Sequence, residues 1–303
     1  TLDSAESLFA GAGLNYQKLK ATAAQPDFSA VPLGDITASV AIQNSVRTSE
    51  SQNVIAMIPG TQRPAETIIY TAHWDHLGVN PELSGDNIYN GAADNATGTA
   101  ALLAMAKMHA DAGPAPRSIV FLAVTAEESG LLGSRWYAEH PVFPLATTVA
   151  NINIDVLNTY GPMHDIVVVG NGSSELEAYL EEAATAQGRH LVEEPNPERG
   201  YYYRSDHFNF AKAGVPALYA ESGEDSVEFG SQWGAEQAQD YNENRYHAPS
   251  DEYDPSWNLE GAAQDILLYF DVASKLSRES SFPNWLEGNE FKGIRDATSA
   301  SRP

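Results

Sequence analysis

Five apolar runs without polar alternation stand out along the chain: 65–72 (AETIIYTA), 118–125 (SIVFLAVT), 149–156 (VANINIDV), 165–169 (DIVVV) and 215–220 (VPALYA). Strands buried on both faces read this way, because neither side of the pleat meets water. Between them, 97–110, 175–187 and 205–213 read as helices, and 259–276 closes the pattern as a long amphipathic one. Such alternation predicts an α/β fold, a mainly parallel central sheet flanked by helices on both faces. Ahead of it, 5–24 reads as one helix, with Leu8, Leu14 and Leu19 among polar residues. Segments 38–42 and 53–58 read as a hairpin joined by the polar stretch 43–52. The expectation is therefore one domain over 1–303, with 1–50 a helix and hairpin packing on it. Segment 224–245 follows neither period yet holds Phe229, Trp233 and Tyr241. Long structureless loops in compact domains tend to be functional, so this one is expected to be a lid-like insertion over the site.

Charge narrows the function. The 303 residues hold 41 Asp and Glu against 17 Lys and Arg, a formal charge of −24. No cluster of cations is present to neutralise phosphates, which excludes a nucleic-acid partner and disfavours an anionic membrane surface. Every apolar run falls far short of the ~20 residues that cross a bilayer, so no membrane insertion is expected. With no cysteine, neither disulfides nor a thiolate metal site can form. The chain starts at Thr1 rather than Met, which is read as the trimming of a leader or of other residues.

The chemistry-bearing residues fall beside the expected strands. His73 and Asp75 follow the first run, Asp94 precedes the helix 97–110, and Glu127 and Glu128 end the second run. Asp155 ends the third, and His247 precedes the final helix. In open α/β sheets ligands bind outside the carboxyl ends of the strands. Singly, each has an ordinary reading: Asp94 as a helix cap, the Glu pair as a solvated turn, His73 as a hydrogen-bonded structural residue. Asp155 is harder to dismiss, since a buried unpaired carboxylate is costly. Together, two imidazoles and several carboxylates without cysteine make the donor mix that suits hydrolytic zinc. His109, His140, His164 and His190 lie outside these motifs and read as surface residues. His76 reads as structural and His207 as packing.

The strings His73-x-Asp75, Gly91-Ala92-Ala93-Asp94-Asn95-Ala96-Thr97-Gly98, Glu127-Glu128-x-Gly130-Leu131-x-Gly133-Ser134, Asn153-x-Asp155 and Tyr246-His247 resemble the M28 family of zinc peptidases, in order from Asn53 to Leu276. The resemblance implies a phosphorylase/hydrolase-like zinc exopeptidase fold and two Zn2+ ions bridged by Asp94. It puts His73 and Asp155 on one ion and Glu128 and His247 on the other, with Glu127 as general base and Asp75 orienting His73. Family members often carry Asp-Asp, joined by a cis peptide, where this chain has Asp94-Asn95. The tyrosine three residues before Ser205-Asp206-His207, Tyr202, takes the oxyanion role, with Tyr201 and Tyr203 as neighbours that could take it instead. The implied activity is hydrolysis of N-terminal residues from a peptide substrate by a periplasmic or extracellular enzyme. A two-zinc carboxypeptidase or dipeptidase, using Arg199 or Arg204 as carboxylate clamp, stays open, as do a single-zinc glutaminyl cyclase and a non-catalytic module.

Overall fold

The computed structural model describes residues 1–302, and the chain divides into two compact units, Thr1–Ser49 and the remainder from Glu50. In the first unit, α1 (Leu2–Gly11) is capped by the Thr1 hydroxyl, which accepts from Ser4 N. Gly13, at φ +73°, turns the chain, and Asn15 caps α2 (Tyr16–Ala23) by accepting from Lys18 N at 2.8 Å. The single helix expected over 5–24 is thus two, because a left-handed glycine and a new cap sit in its middle. The strand expected at 38–42 forms no ladder, and Val40 and Ile42 are about four-fifths exposed. Its alternation is real, but nothing covers its apolar side.

The second unit is built on a sheet. Its strands are β1 (Val54–Ile58), β2 (Arg63–His73), β5 (Arg117–Val124), β6 (Thr148–Asn153), β7 (Asp165–Val168), β8 (His190–Glu193) and β9 (Ala217–Ser222). Their order is β1-β5-β2-β6-β9-β7-β8, while β3 (Gly78–Val79) and β4 (Ile88–Tyr89) form a separate small pair. β2, β5, β6 and β9 run parallel, and β1 joins β5 antiparallel rather than closing the expected hairpin. Consecutive residues of β2 feed opposite cores. Ile68 and Tyr70 pack with α3 (Thr97–Ala112), α5 (Leu176–Ala186) and α8 (Glu260–Arg278). Ile69 packs with Tyr137 of α4 (Leu132–Glu139) and Phe210 of α6 (His207–Lys212). Each fully buried Ile or Leu contributes about 1.5–3 kcal/mol, so both faces have to be covered.

Two further helices complete the unit, α7 (Ser231–Asn244) and α9 (Lys292–Ala297). α7 corrects the expectation of a structureless 224–245. Its inner stripe is Gly234, Ala238 and Tyr241, spaced four and three residues apart, and small residues carry little hydropathy signal. Gly234 has no room for a side chain, since a Cβ would strike the Glu224 carbonyl.

Candidate metal centre

Three neighbouring parallel strands deliver their ends to one edge. His73 closes β2 opposite Val124 of β5, and Thr71 lies opposite Asn153 of β6. Glu127 and Glu128 therefore emerge just beyond β5 and Asp155 two residues beyond β6, all on the carboxyl side. Asp94 comes from the turn Ala92–Ala96 that leads into α3, where the Asp94–Asn95 peptide is cis. His247 comes from the segment between α7 and α8. All six line one cavity of about 1010 Å³.

Asp94 sits at the middle of the group. Its Oδ1 is 3.1 Å from His73 Nε2 and its Oδ2 is 3.4 Å from His247 Nε2. His73 Nε2 is also 3.1 Å from Asp155 Oδ1, and His247 Nε2 is 3.1 Å from Glu128 Oε2. One carboxylate thus faces an imidazole on each side, and each imidazole meets a second carboxylate. His76 enters as a third imidazole, with Nδ1 2.6 Å from Glu128 Oε1.

The surrounding residues fix these side chains. Asp75 accepts from His73 Nδ1 through its main-chain carbonyl at 3.1 Å, while its carboxylate, 3.8 Å from that nitrogen, accepts from Glu127 N at 3.1 Å. Orientation of His73 therefore comes from the backbone of Asp75 more than from its side chain. Ser205 Oγ donates to Asp155 Oδ2 at 2.6 Å and accepts from Asn153 Nδ2 at 2.7 Å. Asp251, fully buried, accepts from Ala93 N at 2.9 Å and Asp94 N at 3.0 Å, pinning the Asp94 turn. Asn95 ties that turn to β6, donating to Ile154 O and accepting from Gly98 N and Val156 N. Among the described residues, the non-glycine residues at positive φ are Ala126, Leu131, Val156 and His247. All four are at or beside the site, where left-handed conformations costing about 1–3 kcal/mol each tend to gather.

Electrostatics follow from burial. Burial lowers the His73 pKa, but Asp155 and Asp94 reverse this and hold it far above the usual imidazole range. Asp94 and Glu128 lifts it to about 9 in His247. Burial would raise Glu128, yet His247 and His76 bring it down to about 2. Glu127 behaves oppositely: burial, then the charges of Asp155 and Asp206, push it up to about 9. It is the one carboxylate of the cluster without an imidazole against it. His73, Asp94 and Asp155, and separately His76, Asp94 and Glu128, bring donor atoms within 4.8 Å of one another, sets that could hold a metal ion. Converging imidazole and carboxylate donors, with no thiolate among them, fit a borderline-soft divalent cation such as zinc.

Not every expectation reaches the cavity. Tyr202 packs edge-on to His207 and against the cluster of Ala211, Ala217, Trp285 and Phe291, and its buried hydroxyl has no partner. Tyr201 and Tyr203, its neighbours, line the cavity. His109 is buried rather than at the surface, its Nε2 3.0 Å from Tyr70 Oη, because helical position 109 faces the sheet. His140, His164 and His190 are exposed, and His207 packs between Tyr202 and Tyr219. Asp251, which accepts from Ala93 N and Asp94 N, and His76, which pairs with Glu128, are neighbours of the cluster whose contacts spacing alone does not reveal.

Comparison with known proteins places this geometry. The model of Peptidase family M28 matches residues 53–271. Aminopeptidase YwaD of Bacillus subtilis is 29% identical over 203 residues, which is 66% of this chain and 39% of that protein. The probable lipoprotein aminopeptidase LpqL of Mycobacterium tuberculosis is 28% identical over 71% of this chain and 44% of its own length. The chain thus spans about two-fifths of these curated relatives. In fold it is similar to a zinc aminopeptidase from Bacillus subtilis, with TM-score 0.56, 24% identity, and coverage of 78% of this chain and 53% of that one. The LapA aminopeptidase of Legionella pneumophila gives TM-score 0.56 at 21% identity, over 76% and 56% of the two chains.

Proposed function

The chain belongs to peptidase family M28, and from that premise we propose that it is a metallo-aminopeptidase hydrolysing N-terminal residues from peptides at two zinc ions. The observation that carries the reading is Asp94, whose two oxygens face His73 Nε2 and His247 Nε2 at 3.1 and 3.4 Å. A carboxylate so placed suits two cations side by side. His73, Asp94 and Asp155 would hold one ion, and Asp94, Glu128 and His247 the other. Bound there, the ions supply an activated water nucleophile and polarise the scissile carbonyl.

The chain's own groups do the rest. Glu127 is the carboxylate of the cluster with no imidazole against it, which leaves it free to act as a base rather than as a ligand. It takes the proton of the attacking water and passes it to the leaving amine. Tyr201 and Tyr203 are among the tyrosines that line the cavity and are the candidates for meeting the substrate carbonyl. α7 forms part of the specificity wall through Gly234, Ala238 and Tyr241. Periplasmic or extracellular placement draws support from the lipoprotein designation of the mycobacterial relative. One feature favours a dipeptidase as second reading: Arg199, Arg204 and Lys212 line the same cavity and could clamp a substrate carboxylate.

A substrate panel tests both. Aminoacyl p-nitroanilides should be cleaved, their N-acetyl counterparts should not, and zinc analysis should give two ions per chain. Cleavage of dipeptides alone, lost on amidation of their C-terminus, would transfer the assignment to a dipeptidase. No hydrolysis and no zinc would remove the enzymatic reading.

A further inference from the structure

The cavity continues past the metal centre along the far strands of the sheet. β9, β7 and β8 lie side by side, with Val167 opposite Glu221 and Val168 opposite both Ala220 and Glu193. Side chains alternate faces along a strand, so Val168 and Ala220 enter the core on one side. Val167, Val169, Tyr219 and Glu221 turn to the other side and line the cavity, together with Glu194, the residue after β8. Asn153 of β6 pairs with Tyr219, so Glu221, two residues further on, stands level with Asp155. We propose that this wall receives a cationic first side chain, so that the preferred substrates are peptides beginning with lysine or arginine. The inference rests on the aminopeptidase reading above and names its substrate class.

Two carboxylates stand on this wall without a cation. Among the described residues, neither Glu194 nor Glu221 forms an ion pair. Glu221 accepts from the Tyr219 hydroxyl, and Glu194 Oε1 is buried with no hydrogen-bond partner. A carboxylate withdrawn from water without a partner is costly, and two of like charge disfavour each other. A cation between them relieves both. Three of the cavity's own cations are held against aromatic residues instead. Arg199 Nη1 lies 3.4 Å from Tyr201 Oη, Arg204 stands 5.2 Å over the Tyr201 ring, and Lys212 stands 4.9 Å over Phe208. Between the two carboxylates the floor is apolar, made by Val167 and Val169. β8 lies two strand spacings, about 10 Å, from β9, so the charge has to arrive at the end of a long stem that tolerates valine. Lysine and arginine combine such a methylene stem with a charged head. A leucine side chain would cover the valines and leave both carboxylates unpaired.

Hydrolysis of the p-nitroanilides of lysine, arginine, leucine and norleucine tests this, since norleucine is the lysine stem without its ammonium group. The native enzyme should favour lysine over norleucine by about 10–100-fold in kcat/KM, the worth of hydrogen bonds to a charged group. Arginine should rank with lysine, and leucine with norleucine. Glu194→Gln and Glu221→Gln should each lower the lysine-to-norleucine ratio, and the double variant should bring it close to 1. Glutamine at 221 keeps an acceptor for the Tyr219 hydroxyl, and position 194 is half-buried, so neither change removes a packing contact. Each ratio is taken within one variant, so a general loss of activity cancels. A native ratio of 1 or below would overturn the proposal, as would a preference for lysine that survives both substitutions. Hydrolysis of none of the four p-nitroanilides would remove the aminopeptidase reading itself, and the proposal with it.

Discussion

Truncating Asp251 to alanine would separate the support of the Asp94 turn from the cation site it presents. Asp251 is 1% exposed, and its oxygens accept from Ala93 N at 2.9 and 3.2 Å and from Asp94 N at 3.0 Å. The Ala92 amide, which bonds the Asp251 main-chain carbonyl at 3.1 Å, keeps its partner in the variant. Two buried amides would lose theirs, at about 1–3 kcal/mol each, so Asp251→Ala should destabilise the metal-free protein by about 2–6 kcal/mol. An exposed Asp→Ala change stays within about 0.5 kcal/mol. Asp251→Asn keeps one acceptor oxygen and should fall between. Urea unfolding of the metal-free proteins measures this as a shift in midpoint at constant slope. Because the amide of Asp94 is released, zinc affinity should also drop by about 10–100-fold. An Asp251→Ala midpoint equal to that of the parent, with zinc affinity unchanged, would refute the reasoning.

Glu128→Gln should weaken one zinc site and leave the other, with activity partly recovered in excess zinc by mass action; full metal content with lost activity would mean that Glu128 is not a ligand. Burial lowers the His109 pKa to about 4, so it stays neutral in the folded chain while the unfolded chain protonates near 6.5. The unfolded state then binds more protons as pH falls from about 6.5 to 4, and stability should drop by on the order of 2–3 kcal/mol across that window. His109→Phe should flatten that part of the stability–pH curve measured by denaturant unfolding, and an unchanged curve would exclude His109 as its source. Replacing 231–244 with a short Gly-Ser link should change substrate preference more than stability, and an unaltered substrate profile would exclude α7 as a specificity wall.

The buried strands were legible because β2, β5 and β6 are covered on both faces, so their hydrophobic runs carry no competing polar signal. Their ends then located His73, Glu127, Glu128 and Asp155, since parallel strands in register expose their termini along one edge. What could not be read depended on partners distant in sequence. β8 is four residues with a half-exposed pattern and exists through its pairing with β7. Segment 38–42 has the alternation of a strand but no neighbour to receive it. α7 hides its inner stripe in Gly234 and Ala238, where tight approach replaces hydropathy. Asp251 looks like one of many acidic residues in a chain of charge −24, and only the fold shows that it caps amides 157 and 158 positions away. The tyrosines are hard to tell apart for the opposite reason: three in a row share one composition, and the short turn Tyr201–Tyr203 puts the outer two in the cavity lining and packs the middle one against Ala211, Ala217, Trp285 and Phe291.

The division of labour between Glu127 and Glu128 is the point on which the account turns, because adjacent carboxylates are assigned a proton and a metal respectively. Glu127→Gln preserves shape but cannot accept a proton. Zinc content by mass spectrometry, measured beside turnover of an aminoacyl p-nitroanilide on the same preparation, addresses it directly. The account predicts two zinc ions per chain, an unchanged unfolding midpoint, and turnover reduced by about 10²–10⁴-fold, the usual worth of general-base catalysis. Retained turnover, or the loss of a zinc ion from Glu127→Gln, would contradict it.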